Sequence, residues 1–222
     1  MAQGRPVIMV AMIPTFDVEI GYAYEMDRLL TGLTAEDVAT GFTDHHEYEC
    51  LGVPTWDEAA ECLDSEEFVL GRAAESDVPD GIEAVLGDLS DSGDGVAYAE
   101  LNQSLHWNDA GVAGLSIALS AARAVTFYSC SAGLERGRHH ARYPMVGVVP
   151  DADGAELIAE LARSAGCGIG QHEGRWYLYA KSVTDMHRLA RLILEQRMAF
   201  DAIPVPCWVH GLEAELKETD GY

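Results

Sequence analysis

The residues best equipped for chemistry lie within one short segment, Ser129 to Arg142. A cysteine stands there between two serines, and a glycine, three arginines and two adjacent histidines follow it. A thiol beside cationic side chains is often present as the nucleophilic thiolate, so we predict Cys130 as a catalytic nucleophile. Serine hydroxyls, turn amides and arginines suit a phosphate or carboxylate ligand. The residues predicted to bind such a ligand are Ser129, Ser131, Gly133, Arg136, Arg138, His139, His140 and Arg142.

Apolar patterns on both sides of this segment predict the elements that position it. A helix capped by Asn108 is expected to run to about Arg123, and Ala124–Tyr128 is expected to be a strand. The order that follows is strand, helix, strand, strand, helix, which is typical of a ferredoxin-like α+β fold. These elements are predicted as a strand Met145–Val149, a helix begun by Asp153 and Glu156 and ended by Gly166, strands Cys167–Gln171 and Arg175–Lys181, and a helix from Ser182 to about Arg197.

The first hundred residues give a weaker pattern. Thr34 is placed to cap a helix with Asp37 as its capping-box partner, and Thr55 is placed to cap another helix. Further predictions are a buried strand Pro6–Ile13, short helices Gly21–Leu30 and Trp56–Leu63, and irregular chain at 64–100. We therefore predict an α+β protein with an acidic α/β region at 1–107 packed on a ferredoxin-like region at 108–200. A C-terminal strap and an acidic tail are expected at 201–222.

The charge of the chain is large and uneven. The formal net charge is -23. Residues 1–120 hold 24 acidic and 3 basic residues, whereas residues 121–200 hold 8 acidic and 10 basic residues. Because a strongly acidic surface repels nucleic acid and attracts basic molecules, this balance argues against a nucleic-acid partner. It favours an acidic protein-binding module, such as an adaptor, an inhibitor or an immunity-like factor, with a basic protein as its partner.

Several groups of residues carry ligands that metals use, but none has a familiar spacing. The segment Asp88 to Gly95 resembles a calcium loop, yet Ala99 occupies the position where the loop requires a bidentate glutamate. We interpret it as an acidic turn or linker. For zinc, no group supplies four ligands locally, so no metal site is predicted. The groups considered are His45, His46 and Cys50; Cys130, His139 and His140; Cys167 and His172; and Cys207 and His210.

The cysteines and the longest apolar run indicate the compartment. Five cysteines are scattered without any CxxC pair, which is typical of reduced thiols rather than of a disulfide framework. The run Pro6 to Phe16 is too short to span a membrane and lacks the small-residue cleavage pattern of a signal peptide. We expect a cytoplasmic protein without a membrane partner.

The segment Thr126 to Gly133 resembles the Ser-Ser-Cys-Ser/Ala-Gly-Arg segment of the wybutosine-synthesising tRNA methyltransferase family. The resemblance extends over roughly residues 108–182 and implies S-adenosylmethionine as cofactor and a modified tRNA base as substrate. Ser129, Cys130, Ser131 and Gly133 are the positions that carry over. The sequence departs from the family pattern at Ala132, and Arg136 lies three positions after the glycine instead of directly after it. The alternative function is therefore an S-adenosylmethionine- or nucleotide-binding enzyme of RNA-modification type, which uses the segment from Ser129 to Arg142.

Overall fold

The computed structural model describes residues 13–41, 50–76, 78, 81–91, 95–132 and 141–219. The class is α+β, as predicted. Within these ranges the strands are β1 (Tyr22–Ala23), β2 (Val125–Cys130), β3 (Met145–Val149), β4 (Gly168–His172) and β5 (Arg175–Tyr179). The helices are α1 (Ala35–Thr40), α2 (Trp56–Glu75), α3 (Gly81–Asp91), α4 (Gly95–Ser104), α5 (Ala113–Ala121), α6 (Ala152–Ala165), α7 (Val183–Glu195), α8 (Arg197–Asp201) and α9 (Val209–Thr219).

The five strands form one mixed sheet in the order β1-β4-β5-β3-β2. Neighbouring strands are antiparallel except β1 and β4, which are parallel. Because β5 is antiparallel to both of its neighbours, β3 and β4 run in the same direction and α6 connects them. The predicted order of strand, helix, strand, strand, helix is therefore observed from β3 to α7. The more specific ferredoxin-like assignment stays a prediction.

The main core lies between the sheet and helices α5, α6 and α7. Alternate residues of the strands point into it, as the two-residue period of a strand requires. Val146, Val148, Ile169, Trp176 and Leu178 are all fully buried there. Burial of a large apolar side chain of this kind stabilises a fold by about 1.5–3 kcal/mol. Trp176 is thus part of the core.

The opposite face of the sheet is covered at its β2 side by the two helices α1 and α9. Val38 of α1 and Leu212 of α9 pack there with Phe127 and with Trp208, which precedes α9. Within the predicted C-terminal strap, residues 209–219 form the packed helix α9, which was not predicted as a helix. Its apolar residues stand at helical spacing within a strongly polar stretch, which obscured the pattern.

A second core cluster lies among α2, α3, α5 and α7, and it corrects the prediction for residues 64–100. That stretch is largely helical, since α2 continues to Glu75 and both α3 and α4 follow. Cys62, Val69 and Ala73 form a buried stripe along α2, at intervals of seven and four residues. The exposed side of α2 is so rich in carboxylates that the sequence pattern of the buried stripe is weak beyond Leu63.

The predicted helix caps have mixed outcomes. Thr34 and Thr55 both form complete capping boxes, and Gly166 ends α6 in the left-handed conformation with φ 82°. Asp151 rather than Asp153 caps α6. The helix expected from Asn108 begins later, at Ala113, and its N-cap residue Val112 forms no capping hydrogen bond with its side chain.

The first predicted elements also differ from the structure. Gly21–Leu30 is no regular helix, because β1 forms there along β4 and only Met26–Arg28 makes a 3₁₀ turn. Pairing with a neighbouring strand overrides the weak local preference for helix. The strand predicted at Pro6–Ile13 lies outside the described residues except for Ile13, and so do His45 and His46.

Candidate functional site

The predicted site lies at the end of the sheet where β2 finishes. The strand register places Cys130 opposite Met145, Met145 opposite Tyr179, and Tyr179 opposite Gly168. These four residues therefore lie at the same end of the sheet. Helix α5 precedes β2 by a tight turn and α7 follows β5 directly, so both helices have their N-termini at this end. Helix N-termini carry partial positive charge, which favours acidic or anionic groups nearby.

A loop before α5 holds the two predicted serines. The Ser129 hydroxyl donates to Asn108 Oδ1 at 2.8 Å. The backbone N–H and the hydroxyl of Ser131 both donate to Asp109 Oδ2, at 3.1 and 3.3 Å. The two serines that flank Cys130 are thus both held by hydrogen bonds to this loop. Their hydroxyl protons are engaged by the protein, which leaves oxygen lone pairs as the groups that a ligand could use.

Cys130 itself is only 4% exposed. A reagent or substrate must therefore displace neighbouring groups before it reaches the thiol. The pKa of the neighbouring Tyr128 is raised, mainly by burial and secondly by the Cys130 thiol. Of the other predicted site residues, Arg142 is exposed at the start of the chain leading to β3. The remaining ones, Gly133, Arg136, Arg138, His139 and His140, lie outside the described residues.

A hollow opens beside the end of β2. Ser131 and Ala132 form one wall, and the other walls are mostly apolar. Ala132 has φ 56°, in the left-handed region, where the chain turns away from the strand. The other lining residues are Pro14, Phe16, Ile82, Glu83 and Val183. The hollow has room for only about one water molecule, so a larger ligand could enter only if its walls moved. The contribution of α3 was not foreseen, because residues 64–100 were predicted as irregular.

A buried carboxylate close to this loop was also missed. Glu66 on α2 is 0% exposed. Its Oε1 accepts the backbone N–H groups of Gly111 and Gly114 at 2.9 and 3.1 Å, and its Oε2 lies 2.8 Å from His187 Nδ1. The available signal was an acidic residue within the buried stripe of α2, since a charge at such a position is rare unless it is paired.

The exposed side of α2 forms what we call the acidic face, defined by Asp57, Glu61, Asp64, Phe68 and Glu75. These residues recur at intervals of three, four or seven, so they share one side of the helix. All five are exposed, and Phe68 keeps 52% of its surface accessible. A large aromatic side chain thus stands in solvent, with Asp64 one turn before it and the exposed Arg72 one turn after it on the same side of the helix.

The described residues contain no group of three or more metal-ligating side chains that could hold a metal ion. None of the five cysteines is in a disulfide. Cys167 donates to the backbone carbonyl of Asp185, and burial raises its pKa to about 12. His172 is exposed at the far end of β4, so Cys167 and His172, one of the pairs considered for zinc, do not converge.

No helix within the described parts of the chain has both the length and the apolarity needed to cross a membrane. The sequence matches no family model, and no curated protein or solved structure is significantly similar to it.

Proposed function

We propose that the protein is an acidic binding module that docks a basic protein partner on the acidic face of α2. The observation that carries this proposal is the exposure of Phe68 in the middle of that face. Exposed apolar residues are common singly, but this ring has Asp64 one turn before it and Arg72 one turn after it. Glu61 and Glu75 lie farther along the same side, so the ring offers an apolar anchor with a mostly acidic rim. A partner with a basic, amphipathic helix or segment would complement both features.

The energetics of such an interface divide between the ring and the acids. Burial of a phenylalanine side chain contributes about 1.5–3 kcal/mol, which is the order of an interface hot spot. The rim carboxylates contribute mainly to the association rate and are screened by salt. The proposed complex should therefore weaken with salt and keep a salt-resistant part that depends on Phe68.

The test is a titration with a labelled, lysine- and leucine-rich amphipathic helical peptide as a model of the partner. Phe68→Ala should weaken binding roughly tenfold to a hundredfold, because 1.4 kcal/mol corresponds to a factor of ten. Met198→Ala is the matched control, since Met198 is also an exposed apolar residue but lies on α8. Equal affinity of wild-type protein and Phe68→Ala would rule out the proposed anchor.

A second candidate function is suggested by the polar loop that holds Ser129 and Ser131. Here the protein would bind an anionic or nucleotide-like small molecule, with S-adenosylmethionine as the cofactor that the sequence resemblance implies. What supports it is that Asn108 and Asp109 hold Ser129 and Ser131, two of the predicted residues, on either side of Cys130. Cys130 and the arginine-rich segment remain proposed site residues. The ferredoxin-like assignment of 108–200 is proposed with this candidate, on the order of the elements from β3 to α7.

Thermal unfolding with added S-adenosylmethionine or nucleotides tests this second candidate. A ligand at about 100 times its Kd stabilises the folded state by roughly 2.7 kcal/mol. The triple variant R136A/R138A/R142A should abolish that shift and leave peptide binding at the acidic face unchanged. Phe68→Ala should do the reverse. A triple variant that loses peptide binding and keeps the ligand shift would overturn both assignments.

A further inference from the structure

A network of hydrogen bonds and ion pairs joins α2, α7 and the chain at the start of α5. Two consecutive acids of α2 contact two residues one turn apart on α7. Glu66 contacts His187, and Glu67 contacts Arg191 at 2.6 Å. Glu66 is fully buried, whereas Glu67 and Arg191 are about half exposed. The two neighbouring acids thus have different surroundings although they are adjacent in sequence.

We infer that Glu66 is a positioning residue for the site at the end of β2. Its Oε1 holds the N–H groups of Gly111 and Gly114 and so fixes the start of α5. Asp109, two residues before Gly111, holds both donors of Ser131. The carboxylate of Glu66 therefore acts through the loop 108–114 on the strand end that carries Cys130. This inference concerns the site of the second candidate function, but its test needs no ligand.

The two glycines make this arrangement possible. Gly111 has φ 101°, and a β-carbon there would come within 2.6 Å of Val183. A β-carbon at Gly114 would lie 2.7 Å from Glu66 Oε2 and 2.5 Å from a methyl carbon of Leu63. At Gly114 the backbone and the carboxylate can approach to hydrogen-bonding distance only because there is no side chain. The absence of a side chain at Gly111 lets the loop pack against Val183 of α7. The loop is therefore built around the buried carboxylate.

The contacts of His187 assign its proton. Nδ1 faces the acceptor Oε2 of Glu66 at 2.8 Å, while Nε2 lies 3.5 Å from a guanidinium nitrogen of Arg191. A carboxylate can only accept and a guanidinium can only donate. The neutral Nδ1–H tautomer satisfies both neighbours, since it donates to Glu66 and accepts from Arg191. Cys62 is another ionisable group beside the carboxylate. The pKa of Cys62 is raised, mainly by burial and secondly by the charge of Glu66.

The experiment measures how fast the Cys130 thiol is alkylated in the native protein, by peptide mass spectrometry, with the buried Cys167 as internal reference. In Glu66→Ala we expect the ratio of the two rates, Cys130 over Cys167, to rise at least tenfold. Glu67→Ala, one residue away and exposed, should leave the ratio within twofold of wild type. Glu66→Gln keeps an oxygen for the two glycine N–H groups, so it should restore most of the protection.

A control for folding keeps the inference falsifiable. If Glu66→Ala does not fold, His187→Leu replaces it, and the same ratio should rise at least threefold. Nitrogen chemical shifts of the His187 ring in the wild-type protein should show a protonated Nδ1 and an unprotonated Nε2. An unchanged ratio in a folded Glu66→Ala protein, or an equal rise at Cys130 and Cys167, would overturn the positioning role.

Discussion

Gly114 and Glu66 are packed so closely that a single added methyl group would not fit between them. The Gly114 N–H donates to Glu66 Oε1 at 3.1 Å, and a β-carbon at Gly114 would lie 2.7 Å from Oε2. Glycine is a poor helix former, so its presence in the first turn of α5 has a cost. The contact with the buried carboxylate explains why that cost is accepted at this position.

Gly114→Ala should therefore destabilise the protein although alanine is the better helix former. We expect a loss of about 1–3 kcal/mol in the free energy of unfolding, as for overpacked cores. Gly71→Ala is the control, because Gly71 is exposed within α2 and a β-carbon there meets nothing within 4 Å. That change should stabilise the protein by up to about 1 kcal/mol. Urea unfolding measures both values, and equal stabilisation by the two substitutions would contradict the packing described.

Removal of a helix cap should have a moderate effect. The Thr55 hydroxyl accepts the Glu58 N–H, and the Glu58 carboxylate accepts the Thr55 N–H at 2.7 Å. Thr55→Ala should lower the free energy of unfolding by about 1 kcal/mol. Thr40→Ala, an exposed change at the end of α1, should stay within about 0.5 kcal/mol of wild type. Chemical denaturation distinguishes the two, and an equal effect of both would argue against a role for the cap.

High pH should destabilise the fold through its buried weak acids. Burial raises the pKa of Cys62 and of Tyr128, and it raises the pKa of Cys167 to about 12. The folded state therefore retains these protons after the unfolded chain has lost them. Their contribution to stability is complete below about pH 9, the ordinary thiol value, and is lost as the pH rises above it.

The midpoint temperature of thermal unfolding should accordingly decrease as the pH is raised from about 9 to about 12. Cys167→Ala should reduce this slope, whereas Cys207→Ala, a change at an exposed cysteine, should not. A pH-independent midpoint across this range would show that the two buried thiols and Tyr128 do not differ between the folded and unfolded states.

Salt should stabilise the protein. A net charge of -23 on 222 residues produces self-repulsion that opposes the compact state. The Debye length falls from about 10 Å at 0.1 M to about 3 Å at 1 M, so added salt screens most of this repulsion. The unfolding midpoint should rise with NaCl concentration over this range, while an equal osmolality of a neutral solute should give a smaller rise. A midpoint that falls with salt would mean that attractive ion pairs dominate.

Sequence patterns were informative where the signal is local. Capping by Thr34 and Thr55, the helix end at Gly166 and the strand Met145–Val149 depend on near neighbours, and all are observed. The paired strands β4 and β5 were predicted within one or two residues. The extent of α2 was missed, because its many carboxylates obscured the buried stripe.

The site was predictable only in part, since its geometry depends on long-range contacts. Ser129 to Ser131 could be singled out by residue type, but their anchors Asn108 and Asp109 lie about twenty residues earlier. Glu66 and His187 are 121 residues apart, and no local pattern pairs them. Phe68 looked like one more apolar residue, because exposure is set by the packing of the whole helix.

The most direct test of the proposed function is the affinity of the basic amphipathic peptide at two salt concentrations. Wild-type protein should bind it more tightly at low salt and retain measurable binding at about 0.5 M NaCl. Phe68→Ala should lose the salt-resistant part, and the variant E61Q/D64N should lose mainly the salt-sensitive part. A peptide of lysine alone should show no dependence on Phe68. Binding that is identical in wild type and Phe68→Ala at both salt concentrations would contradict the role of the acidic face as a docking surface.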